Sequence, residues 1–140
     1  MIDDTLHYSL MITNSMIVKE ILKRALMLGL SPGQPKTLDY LNDHDGCSRM
    51  DISRGCAIDK STATGILSRM EEKGLIKSVR DISDKRKTLI YMTPKGKEAY
   101  AELKTIFEQT DEASLKGISN EELAAFMQTL KKIRNNAVYE

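Results

Sequence analysis

The side chains of this sequence best suited to chemistry are hydroxyls and cations, and they gather in two short stretches. The first runs from Lys60 to Arg69 through Ser61, Thr62, Thr64, Gly65 and Ser68; the second is Asp84, Lys85, Arg86 and Lys87. Hydroxyls donate or accept hydrogen bonds, whereas guanidinium and ammonium groups seek phosphate or carboxylate oxygens. Neither stretch pairs a nucleophile with a base. The chain has no glycine-rich phosphate loop and no Ser/His/Asp or Cys/His pattern in a credible setting, so the reading is no enzyme, with no catalytic, cofactor-binding or metal-ligating residue assigned.

The surrounding residues say how these groups are held. Ala63, Ile66, Leu67 and Met70 recur at three- and four-residue spacing, which predicts a helix over Thr62–Lys73 with that stripe inward. Ser61, Thr64, Gly65 and Ser68 are left facing out. A soluble helix usually shows water long charged side chains; a small, hydroxyl-bearing face instead fits closely into a major groove, where hydroxyls meet base edges. Ile52 and Cys56 mark one face of a preceding helix over Ser48–Ala57, with the turn at Ile58–Ser61.

Gly74 suits the left-handed position that ends a helix. Beyond it, Ile76–Arg80 and Thr88–Met92 flank the polar loop Asp81–Lys87 and pair as an antiparallel hairpin. The tip of this wing is basic. Asp84 beside Arg86 predicts a guanidinium steered by a carboxylate towards a phosphate or into a minor groove, with Lys85 and Lys87 adding backbone attraction.

The flanks read as helices. Asp3–Leu30 carries Leu6, Leu10, Ile17, Ile21 and Leu28 along one line, with Met11, Val18, Leu22 and Ala25 beside it. So broad a stripe needs more than one partner. Ser31-Pro32 gives a cap followed by proline, opening a short helix over Pro32–Asn42 that buries Leu38 and Leu41. Thr93-Pro94 repeats the signal before a helix with Ala99, Leu103, Ile106, Phe107 and Thr110 on one side. Ser119 opens a last helix with a stripe of Leu123, Phe126, Met127, Leu130 and Ile133. A monomer of this size cannot bury all these stripes, so the sequence predicts a homodimer built on the first helix and the last two.

At 140 residues the chain supports one domain, and its 41% apolar and 29% charged content is that of an ordinary soluble protein. No apolar run reaches the ~20 residues of a membrane span, and the N-terminus lacks a signal-peptide layout, so the expected location is cytoplasmic. Cys47 and Cys56 lack the partners of a zinc site. Cys56 belongs to the core; Cys47 is placed at a loop-to-helix junction, where a helix N-terminus lowers a thiol pKa. Net charge is +1, but residues 48–97 hold 12 Lys and Arg against 6 Asp and Glu, and the remainder 9 against 14. A basic centre between acidic flanks suits a segment that faces nucleic acid.

Taken as a set, Ser61-x-x-Thr64, Met70-Glu71-x-x-Gly74-Leu75-Ile76, Asp81-x-x-Asp84-x-Arg86 and Met92-Thr93-Pro94-Lys95-Gly96 resemble the MarR family of bacterial transcription regulators. The resemblance covers nearly the whole chain. It implies a mostly α fold with a small β-hairpin wing, a single domain over 1–140. Residues 31–96 would form a winged helix-turn-helix lobe that reads DNA, and 1–30 with 97–140 the helical dimerisation region. It also implies a repressor that binds an inverted-repeat operator in double-stranded DNA as a homodimer. Small, often aromatic and anionic, effectors would bind between the dimer helices and the lobe and release it. Independently of the resemblance, Met11, Met16 and Met27 on the first helix are candidate lining for an adaptable apolar pocket, with ordinary core packing as the commoner role of such residues. Two residues depart from the pattern: Gly65 stands where many members have a basic residue, and Ser83 where a fuller wing motif has arginine. The competing reading is a winged-helix module that binds protein through the same surface.

Overall fold

The computed structural model describes residues 1–137; the last three residues of the expected dimerisation region lie outside them. The elements run α1 (Leu6–Ala25), α2 (Gln34–Asp43), β1 (Cys47–Ser48), α3 (Arg49–Gly55), α4 (Lys60–Glu72), β2 (Ile76–Arg80), β3 (Thr88–Met92), α5 (Pro94–Ser114) and α6 (Asn120–Asn136). The fold is mostly α with one small antiparallel sheet, as the sequence predicts.

Several boundaries differ from the sequence reading for identifiable reasons. The long first helix is interrupted at both ends by 3₁₀ turns, Ile2–Asp4 and Leu26–Leu28. Gly29 at φ +77° turns the chain, and the Leu30 N–H reaches back to the Ala25 carbonyl at 3.1 Å, the bond that closes a Schellman-type end. Ser31-Pro32 does not open α2. The helix starts two residues later, capped by Gly33 at φ +86° with Pro35 in its first turn. Glycine is required at 33 because φ +86° strains any L side chain; a Cβ there would also lie 2.4 Å from Ile66 Cδ1, so the loop lies directly on α4.

The helix read as Thr62–Lys73 begins at Lys60, because Asp59 in the expected turn is its cap. Its far end is Glu72, with Lys73 as C-cap and Gly74 at φ +76°. Both hairpin strands fall where the sequence puts them, in a register that pairs Ile76 with Met92 and Arg80 with Thr88. A third strand was not legible: Cys47 pairs with Ile90 and Ser48 with Leu89, giving the order β1-β3-β2.

Leu30, Leu38, Leu41, Ile52, Met70, Ile90 and Leu103 are fully buried and centre the core on the helix-turn-helix, with α5 packed across α1 and α2. Two polar ties fix α4 within it. Lys73 Nζ donates to the Gly29 carbonyl at 2.7 Å, to Ser31 Oγ at 3.2 Å and to Gln34 Oε1 at 3.1 Å, so the end of α4 holds the α1–α2 loop. Thr93 Oγ1 accepts from the Gly96 N–H at 3.0 Å and donates to the Gly74 carbonyl, joining the start of α5 to the end of α4. α6 contributes no buried residue, and Phe126 and Met127 are 54% and 49% exposed.

Candidate nucleic-acid interface

The α4 stripe divides as its spacing predicts. Ala63, Ile66, Leu67 and Met70 are buried, while Lys60, Ser61, Thr62, Thr64, Ser68 and Arg69 are exposed. The exposed hydroxyls are not idle. The Asp59 carboxylate accepts the Thr62 N–H at 2.7 Å, the Ser61 hydroxyl at 2.8 Å and the Thr62 hydroxyl at 2.9 Å. These bonds, the Thr62 N–H first, hold the Asp59 carboxyl below the usual carboxylate range. One turn on, the Thr64 hydroxyl donates to the Lys60 carbonyl at 2.8 Å.

The wing is built by its acids. Asp81 Oδ1 accepts the Ser83 N–H at 3.0 Å and its hydroxyl at 2.9 Å, and the hairpin closes through Asp81 N–H to the Lys87 carbonyl at 3.0 Å. Asp84 takes Arg86 Nε at 3.0 Å, Nη2 at 3.3 Å and the Arg86 N–H at 3.1 Å. The Arg86 side chain bonds hold the Asp84 carboxyl below its ordinary value. The Arg86 side chain stays 90% exposed and that of Asp84 only 28%, so the carboxylate orients the guanidinium without removing it from solvent. Such an exposed pair adds little to stability.

Between α3, α4 and the wing lies an open cleft of about 410 Å³. Arg49, Lys60, Arg86 and Lys87 line it with Ser48, Met50 and Thr64. Four cations thus converge on one groove beside the hydroxyl face. Arg49 and Met50 were missed by sequence reasoning. Their signal was a capping box, Ser48 with Asp51, in which the Ser48 hydroxyl accepts the Asp51 N–H at 3.1 Å and Asp51 accepts the Ser48 N–H at 3.0 Å. That box fixes where α3 starts, but only the folded chain turns its first residues to the wing. Lys85 does not line this cleft.

A second cleft of about 410 Å³ opens between α1, α2, α4 and α5. Val18, Ile21, Leu22, Ile66 and Phe107 form its apolar wall, and Asn14, Lys36 and Thr62 are its polar groups. Thr62 therefore borders this cleft and not the one beside the wing. No methionine lines it: Met16 sits in a separate groove between α1 and α5, and Met11 and Met27 are exposed.

At the loop-to-helix junction the Cys47 thiol is raised, not lowered. Burial first, then the Asp51 carboxylate, push it up to about 11. The N–H groups at the start of α3 that would favour a thiolate already serve the Ser48–Asp51 box. Cys56 is buried as expected. Among the described residues no three His, Cys, Asp or Glu side chains gather to hold a metal, and no helix is long and apolar enough to cross a membrane.

Residues 28–87 match the model of the MarR family. The transcriptional regulator HosA of Escherichia coli O127:H6 is 29% identical over 106 residues, 76% of this chain and 78% of HosA. The chain belongs to the MarR family. The Staphylococcus aureus MepR–DNA complex superposes with a TM-score of 0.82 at 25% identity, covering 96% of this chain and 97% of MepR. Bordetella bronchiseptica BpsR, in a structure described as the mechanism for regulation of DNA binding by 6-hydroxynicotinic acid, gives 0.83 at 25% identity over 96% of each chain. HosA is a transcriptional regulator and MepR is seen bound to DNA, in keeping with the non-enzymatic reading of the sequence.

For this MarR-family chain the two motif departures have local structural readings. Over Gly65, a Cβ would stand 3.3 Å from Arg69 Nη1. The missing side chain lets Arg69 fold forward across the helix face, so a cation occupies that surface from one turn later. Ser83, in place of a wing arginine, spends its hydroxyl on Asp81 and stiffens the loop.

Proposed function

We propose that this protein is a sequence-specific repressor that binds double-stranded DNA as a homodimer. The observation that carries the reading is the convergence of Arg49, Lys60, Arg86 and Lys87 on one cleft beside the small hydroxyl face of α4. Phosphate contacts set register and base contacts set sequence, and this surface holds groups for both. Residues 31–96 form the lobe that reads DNA: α4 enters the major groove with Lys60, Ser61, Thr64, Gly65, Ser68 and Arg69 at the DNA. The wing, Asp84 to Lys87, reaches the backbone or minor groove through Arg86. Residues 1–30 and 97–140 join two copies, so the operator is an inverted repeat with half-sites ~10 base pairs apart. Repression follows from steric exclusion, which needs no activating surface.

The cleft between α1, α2, α4 and α5 supports an effector site for a small aromatic anion, with Lys36 at the charge and Val18, Leu22 and Phe107 against the ring. Thr62 and Ile66 belong to α4, so a bound molecule contacts the DNA-reading helix and shifts its equilibrium position.

Fluorescence anisotropy with the duplex upstream of the gene and a shuffled duplex, across a salt series, tests the reading. Tight binding to the native duplex that weakens steeply with salt is expected. Binding to protein instead would leave little salt dependence and no preference between the two duplexes. Arg86→Ala should weaken the specific complex by ~1–3 kcal/mol; an unchanged affinity would remove the wing from the interface.

A further inference from the structure

A hydroxyl has one proton and two lone pairs, so where its proton is committed decides what it can recognise. On the face of α4 two protons are committed. The Ser61 hydroxyl donates to the Asp59 carboxylate at 2.8 Å, and the Thr64 hydroxyl to the Lys60 carbonyl at 2.8 Å. Neither partner has a proton to offer in return: a carbonyl only accepts, and Asp59, held well into its ionised form, only accepts. Ser68 differs, since it is exposed and makes no hydrogen bond among the described residues.

We propose that Ser61 and Thr64 are acceptor-only readers of the major groove, selecting the amino groups of adenine N6 or cytosine N4, with Ser61 making no phosphate contact. The inference rests on the DNA-binding reading above and specifies what that surface selects. A phosphate is itself acceptor-only, so Ser61 could meet one only by giving up a charge-assisted bond, roughly twice as strong as a neutral one. The Asp59 carboxylate beside it also repels phosphate. An exocyclic amino group satisfies the free lone pairs and leaves the Asp59 and Lys60 bonds intact. In the major groove adenine and cytosine present such donors, while guanine N7 and O6 and thymine O4 accept. Along one helix face, Ser61 and Thr64 are thus set for donor edges, and Ser68 alone is free to turn its proton to an acceptor.

The test starts from duplexes selected out of a random library by the full-length protein. In the enriched sequence each adenine is replaced by the purine analogue lacking the N6 amino group, and each cytosine by 2-pyrimidinone, which lacks N4. Binding is measured for wild type, Ser61→Ala and Thr64→Val. At one or more positions in each half-site, loss of the amino group should weaken wild-type binding about three- to tenfold, the worth of one hydrogen bond. The same loss should be silent in the variant lacking the matching hydroxyl. Asp59→Asn, which keeps a capping oxygen but can donate to Ser61, should reduce discrimination between donor and acceptor edges at the Ser61 position. Amino deletions that cost less than twofold, or cost as much in both variants as in wild type, would overturn the proposal and leave sequence-specific binding standing. A selection that enriches no sequence would overturn the DNA-binding reading itself, and this proposal with it.

Discussion

Gly65 sits inside a helix, where glycine is about 1 kcal/mol less favourable than alanine, yet nothing about its backbone requires it. What it provides is room for Arg69. Gly65→Ala should raise stability by ~0.5–1 kcal/mol in urea unfolding, because the new Cβ meets only the mobile end of a long side chain at 3.3 Å. The same change shifts the guanidinium by only a few tenths of an ångström, so DNA affinity should stay close to that of wild type while stability rises. A variant that is less stable than wild type would mean that Arg69 cannot move. Cys47 supplies a second prediction of the same kind. With its thiol pushed up to about 11, alkylation by iodoacetamide should be slow at pH 8 and accelerate as pH rises towards that value. Fast labelling of Cys47 at neutral pH would contradict its burial and the Asp51 carboxylate beside it.

At the scale of elements, the join between the wing and α5 is held by close approach as much as by the cap. A Cβ at Gly96 would lie 2.1 Å from the Leu75 carbonyl oxygen and 2.7 Å from Met92 Cγ. Backbone cannot step aside as a side chain can, so Gly96→Ala should cost at least ~2 kcal/mol in denaturant unfolding. The Met92-to-Gly96 motif is therefore a packing requirement. This bears on what the sequence could tell. Periodicity located the inward residues of α4, and the polar loop between two apolar-containing runs located both long strands, because each signal is local. Thr93 and Ser119 announced α5 and α6 because a cap followed by proline or by acids has a fixed meaning. The same cap logic failed at Ser31, where Gly33 and its contact with Ile66 move the start of α2; that contact joins residues far apart in sequence. β1 was invisible for the same reason, since a two-residue strand has no period and exists only by pairing with β3. The cleft beside the wing was half legible: the cations of α4 and the loop stood out, while Arg49 and Met50 took their place only once α3 was packed.

At the scale of the whole molecule, the apolar faces that the core leaves uncovered govern how the interface is used. α6 has no fully buried residue, Phe126 is 54% exposed, and Met11 and Met16 on α1 are 61% and 68% exposed. Large apolar groups gathered on the two ends of one chain stay in water unless a second copy covers them. Phe126→Asp should therefore convert the proposed homodimer into a monomer in sedimentation velocity. Because Phe126 adds nothing to the core around Met70 and Leu103, the monomer should keep its helical circular dichroism. Its DNA binding then isolates what dimerisation contributes. A monomer engages one half-site and neutralises half as many phosphates, so the slope of log affinity against log salt should fall to about half the wild-type value. Affinity should fall further than the lost contacts alone require, since the second half-site no longer benefits from the high local concentration that tethering creates. A monomeric variant with the full salt slope would place every phosphate contact within one copy, whereas a variant that stays dimeric would mean that another surface joins the copies.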